Sequence, residues 1–314
     1  MRKLFRFTSL LFLFLGIVLY SCNNVQKEKK SLGETVEITH KLGKTKVTKN
    51  PTRIVTLDIG ALETLQELDV KPVAVPKKHL PKYLEYIQND NSIGDAGLVI
   101  EPNLEAINEY DPDLILISTR QERYYDELSK IAPTVYIGTN TDDYLNSFKE
   151  NTLLIGRLVG KEHQVEEKLD QLFSKINHAQ EKFKKDSNKA LFLIYNNGNY
   201  NAFGKASRFG FIHDVLLLNP VLETTNTSVH GRIVSNELIA ESNPDYLFIV
   251  DRNAAVYGRD ANKSEVVNKL IQQTNAYKND KIFYLDPHVW FISGGGLISV
   301  EMMVDDIVSL LDEE

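Results

Sequence analysis

The 314-residue chain has one cysteine, Cys22, and one tryptophan, Trp290. A lone thiol excludes an internal disulfide, a CxxC redox pair and a thiolate zinc cage. Basic residues are also scarce: 36 Lys and Arg against 43 Asp and Glu leave a formal charge of −7, so no nucleic-acid partner is expected. GxSxG, HExxH, GxxxxGK[ST] and a helix-opening GxGxxG are all missing, and no nucleophile–base pair of an enzyme can be assembled. The seven histidines form no HxxxH or HxH pair, so a preformed divalent-metal cage has no support. Beyond Cys22 no apolar run reaches the roughly 18 residues of a membrane span. What remains, 42% apolar and 25% charged, is a globular composition. At roughly 150 residues per domain, the length suits two lobes.

The one long apolar run lies at the start. Arg2, Lys3 and Arg6 precede the stretch Leu10 to Tyr20, which is short for a spanning helix and reads as a secretory signal. Leu19-Tyr20-Ser21-Cys22 resembles a bacterial lipobox, which implies cleavage before Cys22 and lipidation of its thiol. Residues 1–21 carry three positive charges and no negative one, so their removal leaves 293 residues and a charge of −10. Residues 22–35 are polar and aperiodic and read as a flexible tether. The body is expected outside the cytoplasm, held to a membrane by lipid.

Short β-branched runs then alternate with amphipathic stretches: Arg53–Leu57, Val73–Val75, Leu114–Ser118, Val135–Gly138, Ala190–Tyr195, Tyr246–Asp251 and Lys281–Leu285. This alternation predicts an α/β fold with largely parallel sheets. Between Asp143 and Lys185 there is no proline, and Leu153, Leu154, Leu158, Leu169, Leu172, Phe173 and Ile176 recur at helical spacing. The expectation is an N-terminal lobe at 36–142, a connecting helix at 143–185 and a C-terminal lobe at 186–314. The connection reads as one long helix, or as two broken near Gly156 and Gly160.

An internal repeat supports the division. Residues 103–120 align with 236–252 on Pro112-Asp113 and Pro244-Asp245. Both copies carry a glutamate seven residues before the proline, Glu105 and Glu237, and an arginine seven after the aspartate, Arg120 and Arg252. In open α/β sheets ligands bind beyond the strand C-termini, so the two arginines are expected in one shared cleft. Arg208, in the glycine-rich stretch 201–210 between a strand and an apolar helix at Ile212–Leu218, is a third candidate. Guanidinium keeps its charge, donates in a planar fork and stacks on aromatic faces, which suits a flat, oxygen-rich polyanion. Ser293-Gly-Gly-Gly296 reads as a turn for close packing between lobes rather than a phosphate loop. His230, in a polar loop before Gly231, is the histidine most suited to face a ligand.

At this level of detail the sequence resembles the periplasmic siderophore-binding proteins of ABC importers. The likeness is strongest to ferric-catecholate binders of the kind Campylobacter uses for enterobactin uptake. It covers about residues 35–312 and is carried by Thr119–Tyr125, Ala202–Val215, Val229–Arg232, Asn243–Asn253 and Leu285–Gly294. The resemblance implies a class III periplasmic-binding-protein fold, two α/β lobes joined by a single long helix. It implies a monomer with no intrinsic cofactor, carrying a ferric siderophore to a permease in the cytoplasmic membrane. Arg120, Arg208 and Arg252 match the family's arginine triad, and His230 matches a histidine able to complete iron coordination through a siderophore complex. Glu105 and Glu237 match a pair of glutamates that dock on the permease.

One position departs: Phe291 stands where the family has an iron-ligating tyrosine. A phenyl ring cannot coordinate Fe³⁺, so either the ligand brings all six donors or a shifted residue such as Tyr257 or His288 substitutes. Trp290 and Phe291 are expected to pack on ligand rings. Haem or cobalamin binding on the same fold and an extracytoplasmic siderophore hydrolase are the alternatives.

Overall fold

Runs of β-branched and aromatic residues build two separate sheets, and each draws its strands from one half of the sequence. The computed structural model describes residues 34–78, 80–222, 231–258 and 263–312; Cys22 and His230 lie outside them. A two-stranded ribbon, β1 (Thr35–His40) with β2 (Gly43–Thr48), comes first. The N-terminal lobe then holds β3 (Ile54–Thr56), β4 (Ala74–Val75), β5 (Gly94–Asp95), β6 (Leu114–Ile117) and β7 (Thr134–Tyr136). They lie in the order β5-β4-β3-β6-β7, parallel throughout. The second lobe holds β8 (Lys189–Asn196), β9 (Asn199–Phe203), β10 (Asn219–Pro220), β11 (Arg232–Val234), β12 (Tyr246–Asp251) and β13 (Ile282–Tyr284). Their order is β11-β9-β8-β12-β13, with β10 on the start of β8 and the β8–β9 and β9–β11 pairs antiparallel.

All seven strands expected from the alternation occur. Two expectations around Arg208 change. Asn201, Ala202 and Phe203 belong to β9 rather than to a loop, because they pair with Leu193 and its neighbours on β8. The apolar helix expected at Ile212–Leu218 is a single turn, Phe211–Asp214. Leu217 adopts a positive φ of 66° and the buried His213 ring binds the Leu218 carbonyl at 2.9 Å, so the chain turns early into β10.

The repeat is structural. Asp113 at the start of β6 accepts the backbone N–H groups of Thr52 and Arg53 at 2.8 and 2.9 Å, beside the start of β3. Asp245 at the start of β12 accepts the Lys189 N–H at 2.9 Å, beside the start of β8. In each copy the preceding helix is capped by a side chain, α2 (Leu104–Glu109) by Asn103 and α5 (Asn236–Ser242) by Ser235. Ahead of both copies α1 (Ile59–Glu67) follows β3.

The connection is two helices, α3 (Tyr144–Leu158) and α4 (Glu162–Phe183), which is the second of the two forms read from the spacing and corrects the single long helix expected over 143–185. Gly160, at φ 66°, breaks the run. A side chain at Gly156 would meet Val165 Cγ1 at 2.4 Å, so glycine there lets the two helices cross closely. After β12 come α6 (Arg252–Tyr257) and, at the C-terminus, α7 (Leu297–Asp312). One buried core runs from Ile54, Leu114 and Val135 through the α3, α4 and α7 faces to Phe192 and Phe248. Both lobes are therefore welded along one apolar seam, which favours limited relative motion. No described helix is long and apolar enough to cross a membrane.

Candidate functional site

β6 and β12 occupy corresponding places in their sheets, and each opens directly into a helical turn bearing an arginine. Arg120 lies in the 3-10 turn Thr119–Tyr124, just past β6, and Arg252 is the first residue of α6, just past β12. Ser118 and Asp251 cap those turns. The third arginine, Arg208, comes from the loop after β9. All three line one cleft of about 1670 Å³, together with Phe291 and Ile292 from the other end of the second lobe.

Phe291 is the centre of the arrangement. The Arg208 guanidinium carbon stands 5.3 Å from its ring centroid and that of Arg252 5.9 Å. Behind it Phe209 stacks at 5.8 Å and 15°, and Arg208 also lies 4.8 Å from the Phe209 ring. Arg120 approaches from the opposite lobe, donating through Nη2 to the Phe291 carbonyl at 2.9 Å and through Nη1 to the Ile292 carbonyl at 3.2 Å. Among the described residues none of the three is paired with a carboxylate.

Such uncompensated charge is felt by the groups themselves. Solvent reaches Arg208 along the open cleft, but protein walls it on the remaining sides. This loss of water, with repulsion from Arg120 second, pushes its pKa down to about 10. Burial likewise lowers the Arg120 pKa, against the opposing charge of Asp58. Two cations that burial disfavours and that repel each other, with Asp58 the opposing charge on Arg120 but no carboxylate in ion-pair contact among the described residues, make this a candidate site for an anion.

Trp290 requires a correction. It was expected on the ligand, but its side chain is 2% exposed and lies in the core. It packs at 5.8 Å from both Phe192 and Phe211, and its indole N–H donates to Asp306 at 2.9 Å. Residues His288–Ile292 form a π-turn, and in it neighbouring side chains 290 and 291 face the core and the cleft respectively. Of the two substitutes considered for the missing tyrosine, Tyr257 lines the cleft and is exposed, whereas His288 stands 3.5 Å from Asp286 and does not line it.

Glu105 and Glu237 are exposed and occupy matching places in the first turns of α2 and α5. The Glu237 carboxyl is held below its usual range by its own backbone N–H and the Ser235 hydroxyl. Sequence reasoning missed Lys78, Tyr195, Asn253 and Glu265, which also line the cleft. Tyr195 stands one residue before the end of β8 and Asn253 follows Arg252, so the rule that ligands sit beyond strand C-termini was available for both. Lys78 and Glu265 carry no comparable signal.

The fold and this cleft define a two-lobed α/β protein with a candidate ligand site between its lobes. A periplasmic binding protein family model matches residues 54–289, and the chain belongs to that family. It is 38% identical over 97% of its length to the petrobactin-binding protein YclQ of Bacillus subtilis, covering 99% of that protein. The solved YclQ structure superposes with a TM-score of 0.87 over 90% of this chain and 100% of YclQ, at 39% identity. Identity to the ferric-anguibactin-binding protein FatB of Vibrio anguillarum is 34%, over 87% of this chain and 86% of FatB. VctP of Vibrio cholerae, a periplasmic catecholate-siderophore binding protein, superposes with a TM-score of 0.82 at 34% identity, over 88% of this chain and all of VctP.

Proposed function

We propose that this chain is a lipid-anchored substrate-binding protein of an ABC importer, capturing a ferric siderophore of catecholate type and delivering it to the permease. The observation that carries the reading is the trio of arginines, none paired with a carboxylate among the described residues, around the half-buried Phe291 ring. A ferric catecholate is an anion with flat rings and an oxygen-rich shell. Guanidinium forks bond the oxygens, the Phe291 ring stacks on a catechol, and the cleft volume accommodates a ligand of that size. The siderophore-binding relatives support the same class of cargo.

Phe291 offers iron no donor atom, so the ligand supplies all six oxygens and the protein binds the complex by its outer surface. His230, next to Gly231 in the sequence, is kept for ligands with fewer donors. The chain acts by binding alone, as a monomer. Glu105 and Glu237, one on the first helical turn of each repeat copy, present matching carboxylates for two basic pockets of the permease. Cys22 carries the lipid.

A ligand panel tests the cargo. Native mass spectrometry of the purified protein with ferric petrobactin, ferric enterobactin, ferric citrate, haemin and cyanocobalamin is expected to retain the two ferric catecholates best. Preferential retention of haemin or cyanocobalamin refutes the reading, and a cleaved siderophore in the released ligand refutes the purely binding role.

A further inference from the structure

Glu63, in the middle of α1, has no solvent exposure and no part in the cleft wall. Its carboxylate nevertheless joins distant pieces of chain. Oε1 accepts the Tyr83 hydroxyl at 2.7 Å and the hydroxyl of Ser293, and Oε2 accepts the backbone N–H of Ser299 at 2.7 Å. Ser299 lies in the first turn of α7, so the carboxylate also sits at a helix N-terminus, where negative charge is favoured. The approach is close because both backbones are bare: a side chain at Gly60 would meet the Gly295 carbonyl carbon at 2.5 Å, and one at Gly296 would meet Glu63 Oε2 at 2.5 Å.

Ser293 directly follows Phe291 and Ile292, whose carbonyls accept the Arg120 guanidinium. Three consecutive residues of the second lobe are thus gripped by two side chains of the first, Arg120 on the cleft side and Glu63 behind. The same three residues carry the Phe291 ring that Arg208 and Arg252 flank. Every donor on Glu63 is neutral, so an ionised carboxylate is held by hydrogen bonds alone and needs all of them. We infer that Glu63 is a positioning residue of the cleft: by holding Ser293 and the start of α7, it fixes the 291–293 backbone from which Phe291 is displayed and on which Arg120 rests.

Protonation of Glu63 turns one acceptor oxygen into a donor and forces a hydroxyl to turn over or let go. The charged and titratable groups around it are Tyr83 and Asp286, Tyr144, whose hydroxyl donates to the Gly294 carbonyl at 2.7 Å, and Arg120 across residues 291–292. Burial raises the Glu63 pKa to about 6, so its hold changes inside the accessible pH range.

The inference rests on the cleft being the siderophore site, and two readouts separate the ideas. With ferric petrobactin as probe at neutral pH, Glu63→Gln is expected to bind roughly tenfold more weakly, and Ser293→Ala to weaken binding in the same direction. The ratio of wild-type to Glu63→Gln affinity, which cancels protonation of the chelate, is expected to shrink as pH falls through about 6. Without ligand, emission of Trp290, three residues before Ser293, is expected to shift through the same pH in the wild type and in Asp306→Asn, but not in Glu63→Gln. Unchanged affinity in both Glu63→Gln and Ser293→Ala overturns the inference, and so does weaker binding with an unaltered Trp290 profile, which marks a merely structural residue. Should Glu63→Gln fail to fold, Ser293→Ala and its Trp290 profile decide. Wild-type protein that ignores ferric petrobactin refutes the cleft reading instead, and the ligand-free Trp290 titration still judges Glu63.

Discussion

Arg208 is the residue whose removal separates binding from folding most cleanly. Its guanidinium makes no hydrogen bond to protein among the described residues, only the cation–π contacts at 4.8 and 5.3 Å to Phe209 and Phe291. Its pKa, down at about 10, records what the fold loses by placing it there without an anion. Arg208→Met keeps an unbranched stem over the two rings and removes the charge. Each charge-assisted hydrogen bond in a partly dry site contributes about 1.5–3 kcal/mol, so a single lost contact weakens ferric-catecholate binding by roughly 10- to 150-fold. Thermal stability is expected to hold or rise, because repulsion on Arg120 is relieved. Arg208→Lys should recover part of the affinity, through charge without the planar fork. Arg120→Met is the contrast: it also strips the donors from the Phe291 and Ile292 carbonyls, so melting temperature and affinity fall together. Titration by quenching of Trp290, with thermal melts of the same samples, reads both quantities. An Arg208→Met protein that binds like wild type, or that loses affinity only in step with its stability, refutes the electrostatic account of the cleft.

Phe291→Tyr places a phenol where the arginines converge and is expected to create a visible phenolate-to-iron absorption band with a tetradentate ferric ligand but none with a hexadentate one; bands of equal strength with both count against six-donor ligation by the cargo. Gly60→Ala drives a methyl to 2.5 Å from the Gly295 carbonyl carbon and is expected to cost about 1–3 kcal/mol or more in chemical denaturation; a neutral result would show the α1–α7 approach to be loose. Glu63, raised from 4.5 to about 6 by burial, binds its proton more tightly folded than unfolded. Its contribution is therefore full below about pH 4.5 and lost as pH rises through about 6, a change of about 2 kcal/mol for a shift of this size. Urea melts of wild type against Glu63→Gln across that window check it, and parallel pH profiles contradict the burial of a lone carboxylate.

Much of this architecture was legible because its signals are local. Leu114–Ile117 and Tyr246–Asp251 are runs that only a buried strand accommodates, and Pro-Asp before each starts the strand while the aspartate fastens its neighbour. Once the two units were aligned, Arg120 and Arg252 followed as residues beyond equivalent strand ends. The short strands β5 and β10 and the ribbon β1–β2 left weaker traces, since two residues or a polar alternation carry little hydrophobic signal. The break of the connecting helix was readable near Gly156 and Gly160; that Gly156 stays inside α3 and serves the crossing with α4 depends on its packing against Val165.

What the linear order determined by itself was therefore the strand alternation, the repeated unit and the arginines that follow from it, because each rests on neighbours within a few residues. Tertiary structure alone decided that Trp290 turns into the core while Phe291 faces the cleft, since the π-turn setting their directions is held by packing on Phe192 and Phe211. It alone decided that Glu63, an ordinary helix glutamate by pattern, is sealed from water. Two of its partners, Ser293 and Ser299, stand 230 and 236 residues away, and no local pattern encodes a contact that only the meeting of two folded lobes creates.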